Sequence, residues 1–160
     1  MRSKTLNRFT WGSHEINCSF EPEIIKSKGV IMKDPIETAV HTHIDCWNAG
    51  DREKWQPAWH PEVIMEDPVG TGKVKQGLSA IEGMWENAFK PGHSWKLELV
   101  FMSVCGDQVA VHLLNHGNID GKEIELESIE IYWIGDCGRI VRCNTYFNPT
   151  EDQVLDPFWT

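Results

Sequence analysis

At 160 residues the chain has the length of a single domain and enough of it to bury a real core. Its 41% hydrophobic and 24% charged residues are those of a globular protein, and a formal charge of -9 argues against nucleic acid or an anionic membrane as partner. No run approaches the ~18 apolar residues of a membrane span, and no apolar stretch follows Met1, so neither a membrane helix nor a secretory leader is expected.

Five cysteines (Cys18, Cys46, Cys105, Cys137, Cys143) are an odd number without a C-x-x-C pair, which implies reduced thiols in a cytoplasmic protein. Residues 1–31 mix Arg, Ser, Asn, Gly and Pro without helical periodicity and are taken as an N-terminal extension. Residues 32–150 carry the patterned elements of the domain, and 151–160 form a C-terminal tail.

Asp34-Pro35-Ile36-Glu37 opens the first helix: Asp caps, Pro suits the first turn, and Glu completes a capping box. Ile36, Val40, His43 and Trp47 recur at steps of four, three and four, so they share one buried stripe. Ala49-Gly50 ends that helix. Asp51 caps a short second one through Trp55 and Trp59, which Pro57 disturbs.

His60-Pro61 leads into Val63-Ile64-Met65-Glu66-Asp67-Pro68-Val69-Gly70, a strand stopped by proline. Alternation puts Val63, Met65 and Asp67 on one face. Asp67 is then either a turn residue, since Asp-Pro before Gly is ordinary turn chemistry, or a carboxylate aimed into a pocket. Ser79-Ala80-Ile81-Glu82 reads as a second capping box, followed by Ile81, Met84, Trp85, Ala88 and Phe89 at helical spacing up to Pro91-Gly92.

The period then changes. Residues 95–104, 108–118, 123–133 and 139–147 read as four long strands joined by Gly106-Asp107, Asp120-Gly121 and Asp136-Cys137-Gly138. Helices first and an antiparallel meander after them define an α+β fold, with the helices on one face of a curved sheet. On the third meander strand, Ile124, Leu126, Ser128, Glu130 and Tyr132 share one face, while Ile129, Ile131 and Trp133 share the other and suggest a sheet-to-sheet dimer contact. Glu130 is either an acid among apolar neighbours or an exposed glutamate on a strand whose other face is buried.

His43 on the apolar stripe is either a satisfied core residue or a functional one. His41 and His43 project to different sides of a helix, and His112 and His116 are separated by ~13 Å along a strand. No spacing of His, Cys, Asp and Glu resembles a metal site, and Gly70-Thr71-Gly72-Lys73 lacks the length of a phosphate loop.

Taken together, Trp47-Asn48-Ala49-Gly50-Asp51, Met65-Glu66-Asp67-Pro68-Val69-Gly70-Thr71, Gly77 followed by Ala80-Ile81, and Gly138-Arg139-Ile140 ending at Tyr146-Phe147 resemble the ketosteroid isomerase branch of the nuclear transport factor 2-like (SnoaL-like) superfamily. The match runs from about Asp34 to Pro149 in motif order. It implies a cone-shaped roll: a curved antiparallel sheet with three N-terminal helices over its concave face. It also implies a small hydrophobic ligand, no cofactor, no metal and a homodimer through the outer sheet face.

In that branch the aspartate of the glutamate-aspartate-proline motif, here Asp67, is the general base that moves a proton beside a carbonyl through a dienolate. A tyrosine and a protonated aspartate hold the oxyanion. By the same resemblance His43 occupies the tyrosine's position and Glu130 the aspartate's, with Tyr132 as a further phenol on the same face. Val63, Met65, Met84, Trp85, Val111, Leu113, Asn115, Ser128, Val141, Cys143 and Phe147 are expected to line the pocket. The implied activity is isomerisation of a hydrophobic ketone. Dehydration, cyclisation or epoxide opening in the same pocket, and ligand binding without catalysis, are the alternatives.

Overall fold

The computed structural model describes residues 34–148, so the N-terminal extension 1–31 and the tail 151–160 lie outside the described residues. Helix α1 spans Pro35–Ala49; the Asp34 carboxylate accepts the Ile36 N–H at 3.0 Å, and Gly50 ends the helix in a left-handed conformation at φ 65°. Its buried face carries Ala39, Val40, His43, Ile44 and Trp47. Asp51 then caps α2 (Arg52–Trp55) through the Lys54 N–H, and Pro57 converts the following residues into a 3-10 turn, Gln56–Ala58.

Strand β1 is Trp59–Glu66, four residues longer at its start than the sequence pattern implies. Pro61 has no N–H to give a ladder, and the strand tolerates it because the register against its neighbour slips between Trp59 and Ile64. A short strand, β2 (Val74–Gln76), returns antiparallel to β1. Three residues of mixed polarity carry no alternation, so it has no sequence signature. Helix α3 is Leu78–Ala88 and is not capped by Ser79 as expected. Gly77, at φ 84°, donates its N–H to the Val63 carbonyl at 2.8 Å, and the helix begins immediately after that pinned turn.

The meander forms as expected: β3 (His93–Cys105), β4 (Gln108–Ile119), β5 (Lys122–Ile134) and β6 (Ile140–Tyr146) pair antiparallel in sequence order. At the β4–β5 turn Asp120 and Gly121 both take positive φ, 51° and 87°, which a tight two-residue hairpin demands. The whole sheet is ordered β2-β1-β6-β5-β4-β3 and is unclosed. It is mixed rather than wholly antiparallel, because β1 lies parallel to β6.

Helix α1 packs on β3, β4 and β5, and α3 on β1, β2 and β3, so both cover the concave face. Asn48, near the end of α1, closes the edge at β3. Its amide donates to the Leu97 carbonyl at 2.7 Å and its oxygen accepts the Leu97 N–H at 2.8 Å. That pair satisfies backbone groups an edge strand would otherwise leave open. No described helix is long and apolar enough to cross a membrane.

Candidate functional site

A cavity of about 90 Å³ lies between the helices and the concave face. Trp47, Trp55, Trp59 and Trp95 supply much of its wall, with Met65, Met84 and Phe147. Against that apolar surface stand His43, Asp67, Glu130 and Tyr132, so α1, the end of β1 and the middle of β5 each bring polar chemistry to one space.

Asp67 sits one residue beyond β1, at the neck of a loop. Its N–H reaches the Lys73 carbonyl at 3.3 Å, and two residues on, Val69 N–H anchors the loop to the Thr145 carbonyl of β6 at 2.8 Å. The Asp67-Pro68 bond is cis, and Pro68 is buried beneath the loop. Asp67 is therefore both a turn residue and a cavity-lining one; the two readings of the sequence are not exclusive. Burial raises its pKa from 3.8 to about 7; a negative charge on the neighbouring Glu130 would push the same way, and Lys75 opposes.

Glu130 lies on the inner face of β5, between Ser128 and Tyr132. It accepts hydrogen bonds from the Tyr132 hydroxyl and, at 3.4 Å, from the Ser128 hydroxyl, and the Cys143 thiol lies 3.9 Å from it. Desolvation raises its pKa, and the two hydroxyl bonds pull the other way. Burial, then the Glu130 charge, pushes the Tyr132 phenol well above its ordinary value. That phenol is a donor to Glu130 and not a proton source.

His43 is boxed in by rings. Trp59 meets it edge-on at 4.9 Å, and Tyr132 lies 5.7 Å away, centroid to centroid. The Trp55 indole N–H donates to its Nδ1 at 2.8 Å. Desolvation lowers its pKa from 6.5 to about 3, so the ring is neutral across the physiological range.

Of the other residues expected to line the pocket, Met65, Met84, Asn115, Ser128 and Phe147 do so. Val63, Val111, Leu113 and Cys143 instead belong to the packed core, each no more than 1% exposed, and do not line the cavity. Trp85 stands behind the wall, with its ring centroid 4.7 Å from that of Trp55 and 5.2 Å from that of Trp47. Val141 is displaced by a bulge: Trp133 pairs with Arg142 and Ile134 with Ile140, which leaves Val141 as the extra residue.

Trp55, Trp59, Trp95 and Thr145 line the cavity without having been anticipated there. Trp95 was legible from the inner-face alternation of β3, and Thr145 from that of β6. Trp55 and Trp59 were hidden because Pro57 breaks the helical period between them. No group of three His, Cys, Asp or Glu residues among the described residues is arranged to hold a metal ion.

The SnoaL-like domain profile matches residues 40–143. No curated protein sequence matches the chain. Among solved structures, RV0760c from Mycobacterium tuberculosis in complex with estradiol-17beta-hemisuccinate aligns at TM-score 0.65 and 24% identity, over 72% of this chain and 95% of that one. An LEH-like epoxide hydrolase from M. tuberculosis aligns at TM-score 0.64 and 15% identity, over 71% and 83%. The Delta 5-3-ketosteroid isomerase from Mycobacterium sp. aligns at TM-score 0.62 and 20% identity, over 71% and 93%. These likenesses establish the fold and leave the reaction to be argued from the site.

Proposed function

The chain belongs to the SnoaL-like domain family, and on that premise we propose that it is a cofactor-free enzyme that isomerises a hydrophobic ketone by moving a proton beside its carbonyl. One observation carries the reading: a carboxylate, a neutral imidazole and a second, hydroxyl-bonded carboxyl line a single tryptophan-walled cavity. Asp67, with a pKa near 7, is a base matched to neutral pH. It takes a proton from the carbon next to the carbonyl, and the electron pair moves onto the carbonyl oxygen as a dienolate. Glu130, in the protonated form that burial favours, and His43 donate hydrogen bonds to that oxygen. Asp67 then returns the proton to the far end of the dienolate, and the double bond has moved.

Because His43 stays neutral, the site favours this chemistry over an acid-base pairing of His43 with Asp67 in dehydration, cyclisation or epoxide opening. The apolar wall supports a hydrophobic ligand, and RV0760c, similar in fold, was solved with a steroid ester. The outer sheet face is read as the contact with a second copy. Phe101, Ile129 and Tyr146 are 62%, 43% and 44% exposed, and they lie with His112 in one row across β3 to β6.

Turnover of a Δ5-3-ketosteroid tests the reaction. Asp67→Asn should cut it by about a hundredfold to ten-thousandfold, the usual worth of a general base, while a phenolic steroid still binds. Wild-type activity should rise with pH through about 7, as Asp67 ionises. Activity retained in Asp67→Asn would overturn the assignment, and a protein that binds the phenol no more tightly than the parent ketone would be a carrier and not an isomerase.

A further inference from the structure

We propose that Trp55 is a positioning residue that makes His43 a one-way hydrogen-bond donor to the ligand's oxygen. The inference rests on reading the cavity as an oxyanion site, although the feature it predicts is observable without turnover.

An indole N–H can only donate. At 2.8 Å from Nδ1 it makes that nitrogen an acceptor, and a neutral imidazole carries one proton, which must then sit on Nε2. Nε2 has no partner among the described residues. Among the described residues the buried side-chain polar atoms without partners are the Trp47 and Trp59 indole nitrogens, so Nε2 is not among the sealed atoms, and the space His43 lines is the cavity. The rings around it are Trp47, Trp55, Trp59 and Tyr132, none of them charged; the Tyr132 hydroxyl is committed to Glu130, and the titratable groups that share the cavity with His43 are Asp67 and Glu130.

The consequence is one of sign. With the proton on Nε2 the ring attracts a carbonyl or enolate oxygen; with it on Nδ1 a lone pair would face that oxygen and repel it. The local sequence builds the lock. Gly50 reverses the chain after α1, Asp51 caps α2, and Trp55 comes back beneath His43 twelve residues later.

NMR of the full chain labelled with 15N in histidine and tryptophan tests this. His43 should appear as the Nε2–H tautomer, unchanged from pH 5 to 8, with a scalar coupling across the Trp55 Nε1–H···Nδ1 bond. Trp55→Phe should release the ring to a mixture of tautomers and weaken binding of estradiol about fivefold, the worth of one ordinary hydrogen bond. The kcat for a Δ5-3-ketosteroid should fall with KM little changed. An Nδ1–H tautomer, a ring that titrates in that range, or no coupling in the wild type would overturn the proposal even if Trp55→Phe does not fold. An unchanged tautomer in a folded Trp55→Phe would overturn it as well. The expected tautomer and coupling in a protein that turns over no ketone would leave the lock standing and sink the isomerase reading instead.

Discussion

Asp67 is held where its charge is poorly solvated and another carboxyl lies nearby, and that burial weighs on folding. Its folded pKa of about 7 lies above the ordinary 3.8, so between those values the folded state keeps a proton that the unfolded chain releases. The stabilisation from that proton is complete below about pH 4 and is lost as pH rises through 7. Asp67→Asn should therefore melt higher than wild type at pH 8, by up to about 4 kcal/mol of stability, and lose that advantage at pH 3.5. Melting curves of both proteins across pH check this; a Tm difference that does not change with pH would contradict it. His43 runs the other way, since its contribution is full above 6.5 and fades as pH falls toward 3. That term is common to both proteins and cancels in the difference.

At the scale of elements, the meander owes its shape to alternation and the cavity owes its floor to one missing side chain. Trp95 on β3 pairs with Gly117 on β4, and its ring lies over the glycine so closely that a Cβ there would meet ring atoms at 2.1 Å. The indole nitrogen is held 3.4 Å from the Asn115 oxygen, and Asn115 is in turn tied to Ser128 and to the Leu126 carbonyl. Gly117→Val should lift Trp95 into the cavity, lowering affinity for estradiol by an order of magnitude or more while the fold survives with a lower Tm. Titration calorimetry with circular dichroism would show it; unchanged affinity would mean that the ring has another place to go. Nothing in the sequence around Gly117 announces this, because the relation exists only across the ladder.

For the whole molecule, the outer face of the sheet divides. Around Glu98, Glu125 and Glu127 it is charged, with His116 bonded to Glu98 at 3.0 Å and His112 to Glu127 at 2.6 Å. The row of Phe101, His112, Ile129 and Tyr146 is largely apolar. Ile131 and Trp133, which the sequence pattern groups with Ile129 in a dimer contact, are half-buried, and Arg142 lies over the Trp133 ring at 5.4 Å. A two-fold contact brings each patch against its own copy, so it should be centred on Phe101, Ile129 and Tyr146, with the His112–Glu127 pair at its rim. Light scattering should find a dimer, and Phe101→Glu should dissociate it. A monomeric wild type would refute this contact.

What the sequence determined by itself was local and periodic. The capped first helix, the glycine-punctuated hairpins and the two alternating faces of β5 follow from spacing that the chain carries with it, whereas spacing left open which of those faces is the inner one. The family could be recognised because Asp67-Pro68-Val69-Gly70 and the helix-ending Gly50-Asp51 keep their order. What only the tertiary structure decided was adjacency between distant segments. The parallel pairing of β1 with β6 brings Asp67 beside a strand far along the chain, and a bulge removes Val141 from the inner face. Trp55 commits one nitrogen of His43. Burial of Asp67, Glu130 and His43 around one tryptophan-walled space moves each away from its ordinary pKa. Desolvation is a property of the assembled wall, and no pattern of residues along the chain encodes it before that wall exists.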